Sequence, residues 1–232
     1  MCYNGGAGFK MKKKNDEYTP AIYSKYGKEL KKVSYLLLLN NGKETTIATD
    51  SRETFDDGTF EDNRQKIFYN KDKSVAVAMI GPIKRNVNGK IYDIQMILAD
   101  KILNGVSIVE TLNFEVENEL SIRKLLRLHY KSEVLTIAKI VKGGQFEIVE
   151  YNIKDNNYIF WDNINIFYSG DFPPVYTGEL LGKEFETFFL NKEVLENKAL
   201  EVMKNIVEIS DYVSKKINKN STIGGDIQII TI

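Results

Sequence analysis

The hydrophobic pattern turns regular at residue 34. Ser34-Tyr35-Leu36-Leu37-Leu38-Leu39 is a continuous apolar run, short enough to predict a strand buried on both faces. Asn40-Asn41-Gly42 follows as a hairpin turn signal, and the β-branched residues 45–49 predict a second strand that ends at Asp50-Ser51-Arg52. Beyond a polar stretch with Asp56-Asp57-Gly58, residues 66–70 and 74–79 read as two more strands, stopped by Gly81-Pro82. The period then lengthens. Ile91, Ile94, Ile97, Leu98 and Ile102 predict a helix closed by Asn104-Gly105, and a second helix starts near Ser107 and continues through Leu120, Leu125, Leu126 and Leu128. Strands return at 134–141, 146–153 and 158–167, with Lys142-Gly143-Gly144 and Asp155-Asn156-Asn157 as turns. Helices are expected at 175–190 and 193–217, before Gly224-Gly225 leads into a last strand at 226–232.

Strands, helices, strands, helices and one closing strand predict an α+β fold of two packed antiparallel sheets with helices outside. No repeat or Pro/Gly-rich linker interrupts residues 34–232, so they read as one domain. Residues 1–33 stand apart, with Gly5, Gly6, Gly8, a Lys12-Lys13-Lys14 run, Pro20 and weak apolar periodicity. They read as a leader, arm or pro-segment, and equally well as an irregular loop packed on the domain.

Composition narrows the chemistry. The 232 residues are 43% hydrophobic and 28% charged, enough to bury a core without a metal or disulfide. The 32 basic and 32 acidic residues leave no net charge, which argues against general nucleic-acid binding. One cysteine, Cys2, excludes an internal disulfide framework, and one histidine, His129, excludes a multi-His metal site. No cofactor is implied. No apolar run reaches the roughly 20 residues of a membrane span, and no signal-peptide segment is evident, so the expectation is a cytoplasmic protein without a membrane partner.

Three local patterns carry a resemblance. The strand-turn-strand unit ends in Ala48-Thr49-Asp50-Ser51-Arg52; Asn63-Arg64-Gln65-Lys66-Ile67 precedes a hairpin ending at Gly81; Tyr168-Ser169-Gly170 and Gly224-Gly225-Asp226-Ile227 come late in the chain. In this order they resemble the opening hairpin with its Ala-Asp-Ser-Arg signature, the lysine step, the Gly-Ser-Gly and the closing Gly-Gly strand of the proteasome β-subunit family. Its bacterial peptidase relatives share them. The resemblance spans nearly all of residues 34–232. It implies an N-terminal-nucleophile (Ntn) hydrolase fold, a four-layer αββα sandwich.

In that family the nucleophile is the first mature residue, and its own α-amine takes the proton, so no histidine is needed. The family's nucleophile lies as far before the motif aspartate as its lysine lies after. Lys66 is sixteen residues beyond Asp50, and the same step back reaches Ser34. The resemblance therefore implies Ser34 as nucleophile, Asp50 as the lysine's partner and Lys66 as electrostatic activator. Gly81 would supply an oxyanion-hole N–H, and Ser169 would relay protons near the amine. The implied activity is cleavage of a peptide or amide bond after loss of residues 1–33, in a homo-oligomeric ring; a ring-shaped ATPase partner is conceivable.

Three departures accompany these matches. Val33 stands where self-cleaving subunits place glycine, and Asn220 and Ile223 stand where the family has an aspartate and a serine. The turn at residues 40–42 is about two residues longer than the family's, which leaves Lys32 or Val33 as alternative registers. A non-catalytic, self-assembling scaffold subunit that keeps its N-terminal segment is the competing reading. Cys2, exposed after methionine removal as in the amidotransferase and bile-salt-hydrolase branches, is a further alternative nucleophile, although the Asp50 spacing would be lost.

Overall fold

The computed structural model describes residues 34–54, 59–81, 84–87, 89–117, 120–129, 134–162, 164–170, 174–181, 191–216 and 221–232. The expected leader, with Cys2 and Val33, lies outside them, as do Asn220 and residues 182–190 of the expected helix at 175–190.

The chain opens with β1 (Tyr35–Asn40) and β2 (Thr45–Asp50), both buried along their whole length. Period two explains why an unbroken apolar run suits β1. Tyr35, Leu37 and Leu39 pack on one side with Ala48, while Leu36 and Leu38 pack on the other with Ile47. The turn closes through the Asn41 carboxamide, whose Oδ1 accepts from the Lys43 and Glu44 N–H groups at 2.9 and 2.7 Å. The short ladder of β3 (Glu53–Thr54) and β4 (Phe60–Glu61) follows, then β5 (Ile67–Tyr69) and β6 (Val75–Ile80).

A second ladder, β7 (Lys84–Val87) and β8 (Lys90–Asp93), precedes α1 (Ile94–Leu103). The helix therefore starts later than its apolar spacing suggested. Ile91 is a strand residue, 67% exposed, and Asp93 is the N-cap, accepting from the Met96 N–H at 3.1 Å. The long helix expected from Ser107 is also divided. Ser107 does cap α2 (Ile108–Leu112) in a capping box with Glu110, but β9 (Glu115–Glu117) and β10 (Leu120–Ser121) intervene before α3 (Ile122–His129). Asn113 ends α2, its N–H folding back onto the Glu110 carbonyl.

The strands β11 (Val134–Val141) and β12 (Gln145–Asn152) match their expected ranges closely. The third expected strand, 158–167, is two strands: β13 (Asn157–Trp161) and β14 (Ile166–Gly170), which belong to different sheets. The polar link around Asp162 and Asn165 carries the chain across. Ser169 and Gly170 thus end a strand. The chain closes with α4 (Pro174–Leu181), the 25-residue α5 (Lys192–Lys216) and β15 (Ile227–Thr231).

Besides the two-stranded ladders, the described residues form two larger antiparallel sheets, with strand orders β14-β1-β2-β15 and β13-β12-β11-β6-β5. The core divides into three clusters. Leu36, Leu38 and Ile47 of the first sheet meet Ala76, Ala78, Ile80 and Ile140 of the second. The other face of the first sheet packs Tyr35, Leu37 and Leu39 against Leu195, Val202, Met203 and Ile206 of α5. The other face of the second packs Val77, Met79 and Ile137 against Leu98 and Ile102 of α1 and Leu125 of α3. Among the described residues no helix is long and apolar enough to cross a membrane.

Candidate active site

The end of β1 next to Ser34 gathers most of the polar residues singled out in the sequence. Asp50 closes β2 beside it, because the hairpin register pairs Leu36 with Thr49. Its carboxylate is fully buried and takes four hydrogen bonds. Oδ1 accepts the Tyr35 N–H at 2.8 Å and lies 3.1 Å from Lys66 Nζ; Oδ2 accepts the N–H groups of Arg52 and Gly224 at 3.3 and 3.2 Å. A buried carboxylate demands such satisfaction.

Lys66 reaches the same point from the start of β5. Its own N–H donates to Gln228 Oε1 at 2.8 Å and its carbonyl accepts the Met79 N–H at 3.1 Å, so the backbone is pinned on both sides. The side chain is 0% exposed. Nζ donates to Ser34 Oγ at 2.5 Å and to the Arg52 carbonyl at 2.6 Å, with Asp50 as third neighbour. Three acceptors thus surround a group with three protons. Burial pushes the Lys66 ammonium below its ordinary value, while Asp50 pulls it back up.

Ser34 is itself buried and has a φ of 95°, in the region L-residues avoid. Gly170 makes room for it. A Cβ at Gly170 would overlap the Ser34 carbonyl oxygen, so the small residue of the Tyr168-Ser169-Gly170 segment is required by close approach.

The remaining motif residues form a brace around this centre. Arg52 forks onto Asp62 at 2.6 and 2.8 Å, reaches the Ser221 carbonyl at 3.2 Å and Asp211 at 3.4 Å, and stacks on Phe60 at 4.0 Å. The Arg52 partnership holds the Asp62 carboxyl below the usual carboxylate range. Ser51 Oγ donates to the Asp62 carbonyl at 2.5 Å and accepts the Asp226 N–H at 2.7 Å. Gly224 and Gly225 lie so close to Arg52 and Ser51 that a Cβ on either would collide. The Asp-Ser-Arg and Gly-Gly signatures are therefore two halves of one contact.

Ser169 lies opposite Leu36 in the β1–β14 register. Its hydroxyl bonds to Glu150 at 2.8 Å and to Thr136 at 3.1 Å, both on the facing sheet. Gly81 follows Ile80, which pairs with Thr136, and stands two residues beyond the Met79 N–H that bonds to Lys66. Its φ is 119°, and a Cβ there would sit 2.7 Å from the Val134 carbonyl. Ile223 is fully buried in the cluster beneath α5, where it offers only hydrocarbon.

Sequence reasoning missed Glu150, Gln228 and Asp62. Glu150 did leave a signal: it shares strand parity with Ile148, an inter-sheet core residue, so a charge falls on a buried face. Gln228 and Asp62 left none, since each acts through backbone groups or a partner set only by folding. A separate cleft of about 630 Å³, lined by Asn40, Gly144, Gln145, Phe146, Asp162, Ile164 and Asn165, opens at the opposite end of β1. It shares no residue with the Ser34 centre.

No family model matches the sequence. No curated protein matches it either. Solved structures of distantly similar fold include Anbu, an ancestral beta-subunit, from Yersinia bercovieri, at 12% identity and a TM-score of 0.49 over 85% of this chain and 81% of that one. Eukaryotic HslV from Trypanosoma brucei aligns at 11% identity and 0.48, over 85% and 98% of the two chains. Anbu from Hyphomicrobium sp. strain MC1 aligns at 12% and 0.47, over 85% and 81%. The likeness is one of overall fold, and no residue role follows from it.

Proposed function

We propose that this chain is an Ntn-type hydrolase of peptide or amide bonds, with Ser34 as nucleophile once residues 1–33 are removed. The observation that carries the reading is the buried contact of Lys66 Nζ with Ser34 Oγ at 2.5 Å, backed by Asp50 at 3.1 Å. A buried amine beside a hydroxyl can hold that oxygen as a donor or, when neutral, take its proton. The downward push on Lys66 favours the neutral form, and the φ of Ser34 concentrates backbone strain at the bond to be cut.

Self-cleavage would run as follows. With Lys66 neutral, Ser34 Oγ passes its proton to the Lys66 amine and bonds to the Val33 carbonyl carbon. The bond from that carbon to the Ser34 nitrogen breaks, and Lys66 returns the proton to the leaving nitrogen. Water then hydrolyses the ester, freeing residues 1–33 and the Ser34 α-amine. That amine becomes the base for later substrates, with Lys66 setting its field and Gly81 offering an N–H to the oxyanion. The three core clusters suit a four-layer αββα sandwich, and we place the chain in a homo-oligomeric ring; an ATPase partner has no observation in its favour.

Intact mass spectrometry of freshly purified protein tests this. Wild type should begin at Ser34, and Ser34→Ala should retain residues 1–33. A wild-type chain that stays whole for days at neutral pH would overturn the proposal. The burial of Ser34 and the hydrocarbon of Ile223 favour the second reading in that event: a scaffold subunit that keeps the geometry without the chemistry.

A further inference from the structure

Glu150 is a carboxylate placed where packing alone would put an aliphatic side chain. It is 7% exposed on β12, on the face that meets the first sheet. Three side chains converge on it. Ser169 Oγ donates to Oε1 at 2.8 Å, Thr136 Oγ1 lies 3.3 Å from the same oxygen, and Trp161 Nε1 donates to Oε2 at 3.2 Å. Ser169 comes from the first sheet and the others from the second, so the carboxylate binds the sheets together through polar contacts inside an apolar layer. Burying it costs free energy that hydrocarbon at the same position would not.

The position of Ser169 suggests what that cost supports. Leu36 pairs with Ser169 and Tyr35 with Gly170, and Ser34, just before β1, turns its hydroxyl to the same inter-sheet side, where it meets Lys66 Nζ at 2.5 Å. The diagonal neighbour across an antiparallel pair lies about 7–8 Å away between Cα atoms, near enough for two inward side chains or a bridging water to meet. A serine hydroxyl has one proton and two lone pairs. With its one O–H donated in a hydrogen bond to Glu150, the Ser169 oxygen acts toward other partners as an acceptor, and a hydrogen bond to a carboxylate strengthens that character.

We propose that Glu150 is a positioning residue for the Ser34 site: by accepting the Ser169 hydroxyl hydrogen bond it leaves the Ser169 oxygen free to accept one from the amino group of Ser34. This rests on the reading of Ser34 as the mature N-terminus. The amino group is held with its lone pair toward the Ser34 hydroxyl whenever it is neutral, and its charged form is stabilised after it takes the proton.

The test uses the full-length chain and an alkyl fluorophosphonate. Ser34 Oγ bonds to phosphorus, the P–F bond breaks, fluoride departs and the hydroxyl proton passes to the amine. Intact mass is recorded first, the labelled residue is mapped, and maximal labelling rate and half-saturating concentration are measured separately. Glu150→Gln should lower the maximal rate on the order of 10- to 100-fold, the rate equivalent of one hydrogen bond to a charged group, with half-saturation unchanged. Ser169→Ala should do the same, and the double variant should be no slower than the slower single one. Trp161→Phe removes a donor from the other oxygen; it should lower the melting temperature and leave the labelling rate alone. If Glu150→Gln does not fold, Glu150→Asp against Ser169→Ala supplies the same comparison. Wild-type labelling in Glu150→Gln overturns the inference, as do multiplicative losses in the double variant or an equal loss in Trp161→Phe. A wild-type chain that is neither cut nor labelled at Ser34 overturns the hydrolase reading itself, and this inference with it.

Discussion

Lys66 has its ammonium protons matched to Ser34, Arg52 and Asp50 in a place closed to water, so its partners decide its stability. Removing one member of a buried ion pair costs about 3–5 kcal/mol, because the other charge is left without compensation. Asp50→Ala should therefore destabilise the protein by about that amount, and Asp50→Ala with Lys66→Met by less, as read from urea unfolding. Equal losses would show that the two charges do not depend on each other. The pair also fixes a pH response. The folded-state pKa of Lys66 lies below its ordinary value of 10.5, so the unfolded chain binds more protons between the two. Its contribution is fully present above 10.5 and is lost as pH falls toward the folded value. Wild type should accordingly gain stability relative to Lys66→Met as pH rises from 7 to 10. A flat difference would place Lys66 at its ordinary value. Ser34, Asp50 and Lys66 could be picked out of the sequence only through the family resemblance, whose motifs fall at the ends of β1 and β2 and just before β5. Glu150 left only a charge at a buried parity, and Gln228 nothing, since the approach of the two sheets and of the last strand sets their partners.

Elements with a long period were read well and short ones poorly. The buried runs at β1, β2, β6, β11 and β12 each show several residues of consistent patterning. The ladders β3–β4 and β9–β10 have strands of two or three residues, too few to show any period. The switch from β13 to β14 was hidden for another reason: both strands are apolar enough that the polar link between them passed for part of one strand. Helix α5 gives a test at this scale. Ile206 is fully buried against the first sheet, while Ile209, one turn later, is 38% exposed. Ile206→Ala should cost about 2–5 kcal/mol of unfolding free energy, the range for emptying a packed core site. Ile209→Ala, measured in a dilute sample, should stay within about 0.5 kcal/mol. Similar losses at both positions would mean that α5 is rotated from this packing.

The observed packing of α5 leaves an apolar stripe on the outside of the molecule. Ile209, Tyr212 and Val213 follow at helical spacing and are 38%, 62% and 47% exposed, so α5 carries more hydrocarbon than its buried face uses. Ile206 is committed to the core, and Phe185, Phe188 and Phe189 fall outside the described residues. Single exposed apolar residues are ordinary on a folded surface, whereas a contiguous stripe on a rigid helix is the form an interface takes. A stable contact buries on the order of 1,200–2,000 Å² in total, more than three side chains supply, so neighbouring residues of the same face must join it. In the homo-oligomeric reading, Tyr212→Arg places a charge at the centre of that contact and should split the assembly without unfolding the subunit. Sedimentation velocity at micromolar concentration, with circular dichroism as the check on folding, reads both effects. Wild type should sediment as a multiple of the subunit and Tyr212→Arg as a smaller species with an unchanged spectrum. A wild-type protein that remains a sharp monomer of at most 26.6 kDa on tenfold concentration would exclude a ring, whatever chemistry Ser34 performs.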